Sequence, residues 1–139
     1  MEFWKDTKEA VSTMVKLQEV LANDPEVGKG MKNLNILYIY DCSEDGSDAK
    51  FWVDARNGQA KFGAGEPTEE VDLRVTVSLD NAHKAFQNKL NPILAVSTGK
   101  LKVKGKATGF LKMAGNAKRV AELYRNLLTE LGMADKILK

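Results

Sequence analysis

The chain carries one cysteine, Cys42, and one histidine, His83, in 139 residues. A lone thiol cannot form an intrachain disulfide, so no disulfide framework holds this fold and a reducing interior is the expected setting. One thiol and one imidazole far apart in the chain do not make the clustered Cys/His spacing of a zinc site. They read as two unrelated singletons, with His83 on the solvated side of a helix. No apolar run approaches the ~18 residues of a membrane-spanning helix. The opening residues, MEFWKDTKEA, are charged where a signal peptide needs an unbroken apolar stretch. The cytoplasm is the expected location. Acidic residues are missing from a long stretch: there is none from Asn81 to Ala121, where eight lysines and Arg119 fall. Up to Asp80 there are nine basic against sixteen acidic residues, a net of −7; from Asn81 on there are twelve against three, a net of +9. Such a field suits an anionic partner, and equally it complements the acidic half across the fold or between copies of the chain.

What is present describes one α+β domain spanning 1–139. Asp6 and Glu9 form a capping box, and Ala10, Met14, Leu17 and Leu21 step along one face of a helix over about 6–22. Asn23-Asp24-Pro25 ends it. Asn35–Tyr40 is apolar at nearly every position, the pattern of a strand covered on both faces or buried mid-sheet. Phe51, Val53 and Ala55 alternate with Trp52, Asp54 and Arg56. Asn57-Gly58, a favoured type I′ pair, then leads into a further strand. In VDLRVTVS (71–78), Val71, Leu73, Val75 and Val77 share one face. A helix follows from about Asp80 to Lys89. Asn91-Pro92 caps a short second one, and a strand covers Lys100–Lys104. A helical tail starts near Ala107, with Gly115 as the expected break and Gly132 as the C-cap. The sum is about five strands, mainly antiparallel, with helices packed on one face.

The segment NPILAVSTGKLKVKGKATGFLKM (91–113) admits three readings. A phosphate loop of the form GxxxxGK[ST] fails, because five residues separate Gly99 from Gly105 and Ala107 follows Lys106. Lys100, Lys102, Lys104 and Lys106 recur with period two and emerge on one face of a strand. Without interleaved aromatics this is a guard against edge pairing rather than a nucleic-acid platform. The remaining reading is an apolar floor. Leu101 and Val103 join Phe51, Val53, Phe62, Leu73, Val75 and Val77 on the inner sheet face, and the helices bring Phe86, Ile93, Leu94, Phe110, Leu111 and Met113. By pattern alone this set is a packed core.

The ordered set GKLKVKGKATGFLKM, VDLRVTVSLDNAHKAF and FWVDARNGQAKFGAGEP resembles the type-two sterol carrier protein family, the sterol-binding or non-specific lipid-transfer domain, over about residues 30–114. The resemblance implies a prokaryotic-like member with a helical extension at about 115–139. It also implies an apolar tunnel between sheet and helices, lined by the fourteen residues just named, that takes a fatty acid, acyl-CoA or sterol-like molecule. Catalytic residues, metal and cofactor are not expected. The chain ends Lys136-Ile137-Leu138-Lys139 instead of the small-basic-leucine peroxisomal tripeptide. The lysine row is the expected contact with an anionic membrane surface. An alternative keeps the fold without an open cavity and uses the apolar stripe from Ala117 to Leu131 to pack on a partner or a second copy. Two decoys are set aside. Asp41, Ser43, Asp45 and Gly46 match an EF-hand loop until Trp52 stands where the bidentate glutamate belongs. Asp54, a base for an isomerase with Tyr38 or Tyr40 as proton donor, alternates onto the polar face.

Overall fold

The computed structural model describes residues 2–139. Helix α1 (Thr7–Asn23) begins where the Asp6 carboxylate accepts from the Glu9 amide at 2.8 Å. Glu9 reaches back to the Lys5 amide at 2.8 Å, one residue beyond the expected partner of a capping box. Ala10, Met14, Leu17 and Leu21 are all buried along it. Asp24 then caps a second helix, α2 (Pro25–Leu34), by accepting from the amides of Glu26 and Val27. Helix α2 has no counterpart in the sequence-based expectation. Gly28 and Gly30 lower its propensity, and the burial of Val27 and Met31 against the core overrides that.

Five strands follow the expected order: β1 (Leu37–Asp41), β2 (Lys50–Asp54), β3 (Lys61–Ala64), β4 (Leu73–Val77) and β5 (Leu101–Gly105). They form one sheet in the order β3-β2-β1-β4-β5, antiparallel throughout except where β4 runs parallel to β1. Strand β1 is therefore central, and Leu37, Tyr38, Ile39 and Tyr40 are all buried. The Asn57-Gly58 pair does take positive φ at both positions, 61° and 71°, within a tight turn at Arg56–Gly58. Helices α3 (Leu79–Phe86) and α4 (Pro92–Ser97) join β4 to β5, capped by Ser78 and Asn91. After β5, Gly105 has φ +104°, and a Cβ there would lie 2.2 Å from the Asp72 carbonyl, so only glycine lets the chain turn this close to β4. The tail breaks at Gly115 into α5 (Ala107–Ala114) and α6 (Ala117–Glu130), and Gly132 follows with φ +73°.

The helices pack on one face. Tyr38, Tyr40, Phe51, Val53, Leu73, Val75, Val77 and Leu101 share one core cluster with Met14, Leu17 and Leu21 of α1 and with Tyr124, Leu127 and Leu128 of α6. On the other face Leu37 and Ile39 are covered by long side chains. Trp52 stands opposite Ile39, and its indole lies so close over Gly63 that a Cβ there would come within 2.5 Å of it. Arg74 bridges Asp41 at 2.8 Å and Glu66 at 2.6 Å, and Arg56 bridges Asp54 and Glu69.

The acidic and basic halves meet at Lys102–Glu44, Lys106–Asp72 and Arg119–Asp24. The last pair ties α6 to the α1–α2 corner at 2.7 Å. There the Arg119 guanidinium, and after it the Val27 amide, holds the Asp24 carboxyl below the usual carboxylate range. Asp24→Ala should cost about 0.5–2 kcal/mol through loss of the cap, and Asp24→Asn less, since its amide oxygen still accepts at the helix start. Urea midpoints at neutral pH measure both. A carboxyl with a lowered folded pKa lends stability above its unfolded value and loses it as pH falls through the folded one. The gap between wild type and Asp24→Asn should therefore narrow below about pH 4.

Candidate functional site

Between the inner sheet face and the helices lies a cavity of about 120 Å³. Tyr38 and Tyr40 of β1 and Val75 and Val77 of β4 make its floor; α1, α2 and α3 wall it with Leu21, Met31 and Phe86. Phe110, Met113 and Val120 cover it from α5 and α6. The space exists because small residues line it: Gly30, Ala82, Ala85, Ala114 and Ala117 leave unfilled the volume that leucines and phenylalanines occupy elsewhere in the core. Polar groups in the lining are few. Gln18, Tyr38 and Tyr40 are buried, while Lys112 and Asn116 sit at the rim where α5 meets α6.

The structure brings six of the expected lining residues to this cavity: Val75, Val77, Phe86, Leu101, Phe110 and Met113. Phe51, Val53 and Leu73 are fully buried in the packed core beside it, and Phe62 and Val103 are half-buried toward the two sheet edges. Ile93, Leu94 and Leu111 face outward, 49, 62 and 56% exposed. Helix α4 turns Ala95 inward instead, so its larger aliphatics, Val96 included, fall on solvent. The residues that the pattern missed come from α1, α2, the inward side of β1, the alanines of α3 and the start of α6. The register of Tyr38 with Val53 and Tyr40 with Phe51 is the signal that would have found the two tyrosines.

Burial raises the pKa of both tyrosines, so their hydroxyls stay neutral. No histidine, aspartate or glutamate lines the cavity among the described residues. Asp54 lies on the opposite face, 2.8 Å from the Arg56 guanidinium, which together with the Arg56 amide keeps it ionised. Asp41 accepts from Ser43 and Arg74. The Cys42 thiol is buried and pushed up to about 12 by desolvation, ahead of the nearby Asp41 charge, so it is no nucleophile.

His83 is not a solvated residue: it is fully buried. Its Nε2 lies 2.8 Å from the Lys136 carbonyl and 2.9 Å from the Gln87 amide nitrogen, and its Nδ1 lies 2.7 Å from the Tyr124 hydroxyl. Gln87 completes the latch by accepting from the Leu138 amide at 2.8 Å. The strip from Ala117 to Leu131, on which the second-copy reading depended, is used inside the molecule: Ala121, Tyr124, Leu127 and Leu128 are buried. Of the four lysines expected on one strand face, only Lys102 and Lys104 lie in β5, projecting from the outer face away from the cavity. Lys100 precedes the strand, Lys106 stands just before α5, and Lys102 and Lys106 are engaged with Glu44 and Asp72.

A model of the SCP-2 sterol transfer family matches residues 17–118, wider than the segment that carried the resemblance. Hydroxysteroid dehydrogenase-like protein 2 of Bos taurus is 33% identical over 76 residues, covering 54% of this chain and 18% of that protein. The chain thus spans about a fifth of the length of this relative. A fatty acid-binding protein of Yarrowia lipolytica is 29% identical over 106 residues, covering 68% of this chain and 82% of that one. Among solved structures, the sterol carrier protein domain 2 of Helicoverpa armigera superposes with a TM-score of 0.66 at 23% identity, covering 81% of this chain and 89% of that chain. At that identity the likeness is one of fold.

The buried imidazole makes stability depend on pH. Desolvation is the largest cause of its lowered pKa. Its contribution is complete above the unfolded value of about 6.5 and is lost as pH falls toward the lower folded value, because the unfolded chain takes up a proton that the folded chain refuses. The urea midpoint of the wild type should decline between about pH 7 and 5. His83→Asn should start lower and decline less steeply.

Proposed function

Because the chain belongs to the SCP-2 sterol transfer family, we propose that it takes the hydrocarbon part of a lipid, a fatty acid, acyl-CoA or sterol-like molecule, into the cavity and carries it without chemical conversion. The observation that carries this reading is the apolar cavity itself, lying between sheet and helices and lined by no carboxylate or imidazole among the described residues. The driving force is burial: at ~0.8 kcal/mol per methylene, about ten methylenes give ~8 kcal/mol before the costs of association. The cavity of about 120 Å³ is smaller than the ~300–1,000 Å³ of drug-sized ligand sites, so a long chain is admitted by displacement of the cover. Helix α5 is the element suited to move. It has no side-chain N-cap, buries only Gly109 and Phe110, and is jointed to α6 at Gly115. Outward motion there opens a path toward Val103 and the neighbouring core.

Loading proceeds from an anionic membrane surface. Ile93, Leu94, Val96 and Leu111 form an exposed aliphatic surface on α4 and α5, beside the cavity lining at Pro92 and Lys112. Lys112 adjoins Leu111 in the chain, Lys89 and Lys100 lie four positions before Ile93 and four after Val96, and the three form no ion pair among the described residues. Apolar side chains with free cations around them suit the headgroup boundary of a negatively charged bilayer. This surface, more than the outer lysine row, fits the contact.

Native mass spectrometry of gently purified protein, followed by organic extraction, should find a stoichiometric lipid. A bare chain mass with no uptake of a fluorescent acyl probe would overturn the reading. Ala85→Phe should fill the cavity and abolish probe uptake while the melting temperature is kept. Leu94→Glu, and separately added salt, should slow transfer from anionic vesicles, and a transfer rate indifferent to both would remove the membrane step.

A further inference from the structure

Gln18 is a polar residue that an all-purpose apolar pocket does not need. It lies on the buried side of α1, is 1% exposed, and lines the cavity, yet its amide Nε2 has no hydrogen-bond partner. A buried amide left unpaired costs about 1–3 kcal/mol, and a leucine or methionine would fill similar space without that cost. The donor is explained if something inside the cavity accepts from it.

The other polar groups of the lining are sorted by charge and depth. Tyr38 and Tyr40 are buried and kept neutral by desolvation, so each offers an O–H. Among the described residues the one cation in the lining, Lys112, is exposed at the rim. A carboxylate or phosphate beside Gln18 would lose its water with no counter-charge to replace it. A bare hydrocarbon end would leave Nε2 unpaired. An uncharged oxygen avoids both penalties.

Resting on the lipid-binding reading above, we propose that Gln18 is a specificity-determining residue. Its amide donates to a hydroxyl or carbonyl oxygen on the end of the lipid that lies deepest, and any acidic group stays at the rim beside Lys112. The ligand selected is thus oxygenated at its buried end, and the cavity reads that oxygen through neutral donors.

The test compares ω-hydroxy fatty acids of graded chain length with unsubstituted acids of the same lengths, as competitors of a fluorescent acyl probe. The proteins are the wild type, Gln18→Leu and Gln18→Met, each first shown folded by its melting transition. At the length that spans the cavity, both variants should bind the hydroxy acid about tenfold more weakly relative to the plain acid. In the wild type, the Gln18 side-chain amide signals in a ¹⁵N–¹H spectrum should shift with the hydroxy acid alone. If the plain acids bind and the ratio is unchanged in both variants at every length, the donor serves no ligand oxygen and the inference falls while the lipid reading stands. If neither series displaces the probe from the wild type, both fall together.

Discussion

The rest of the structure depends on the central place of β1, which must bury side chains on both faces. Its four residues Leu37–Tyr40 are covered, but by different means. Tyr38 and Tyr40 go under the helices and become the floor of the cavity. Leu37 and Ile39 have no helix above them and are shielded by the Trp52 indole and by ion pairs radiating from Arg74 and Arg56. One strand thereby divides the molecule into an apolar side that can be hollow and a charged side that is closed by its own side chains.

The hollow is a matter of side-chain size more than of backbone arrangement. Where α3, α5 and α6 face the sheet across the cavity, alanine recurs, and in α2 Gly30 takes its place. The fold shared with sterol carrier domains at low identity sets the layer spacing, and these small residues decide how much of it stays unfilled. Charge is distributed with the same economy. The acidic first half neutralises some of the basic second half through Asp24, Glu44 and Asp72.

Much of this was legible in the sequence. A continuous apolar run located β1 and alternation the strands on either side of it, the capping residues located α1 and α4, and Gly115 marked the joint between α5 and α6. The parallel pairing of β1 with β4 was not legible, because it depends on which strands meet across the sheet and alternation is blind to that. Helix α2 was hidden by its two glycines. The outward turn of Ile93, Leu94 and Leu111 was hidden because apolar residues on short helices carry too little periodicity to fix a face. His83 looked like a surface residue because its partners, Tyr124 and the Lys136 carbonyl, lie far along the chain. Tertiary contacts of that kind leave no local trace. A cavity leaves even less, since a pattern of apolar residues is the same whether the space between them is filled or empty.

The fastening of the last residues onto α3 has a topological consequence. The Lys136 ammonium reaches the Phe3 carbonyl and sits 5.4 Å over the Trp4 ring, while the Glu2 amide bonds Asp80 on the same helix. Residues 2–4 and 136–138 are therefore neighbours, and the polypeptide describes a nearly closed loop. Joining such ends takes only a short bridge with a small closure entropy, so the backbone could be reopened at a surface turn such as Glu44–Ser47 with the sheet order intact. A circular permutant of that design, compared with the parent by its melting temperature, reports whether the architecture needs this particular order of segments or only their adjacency.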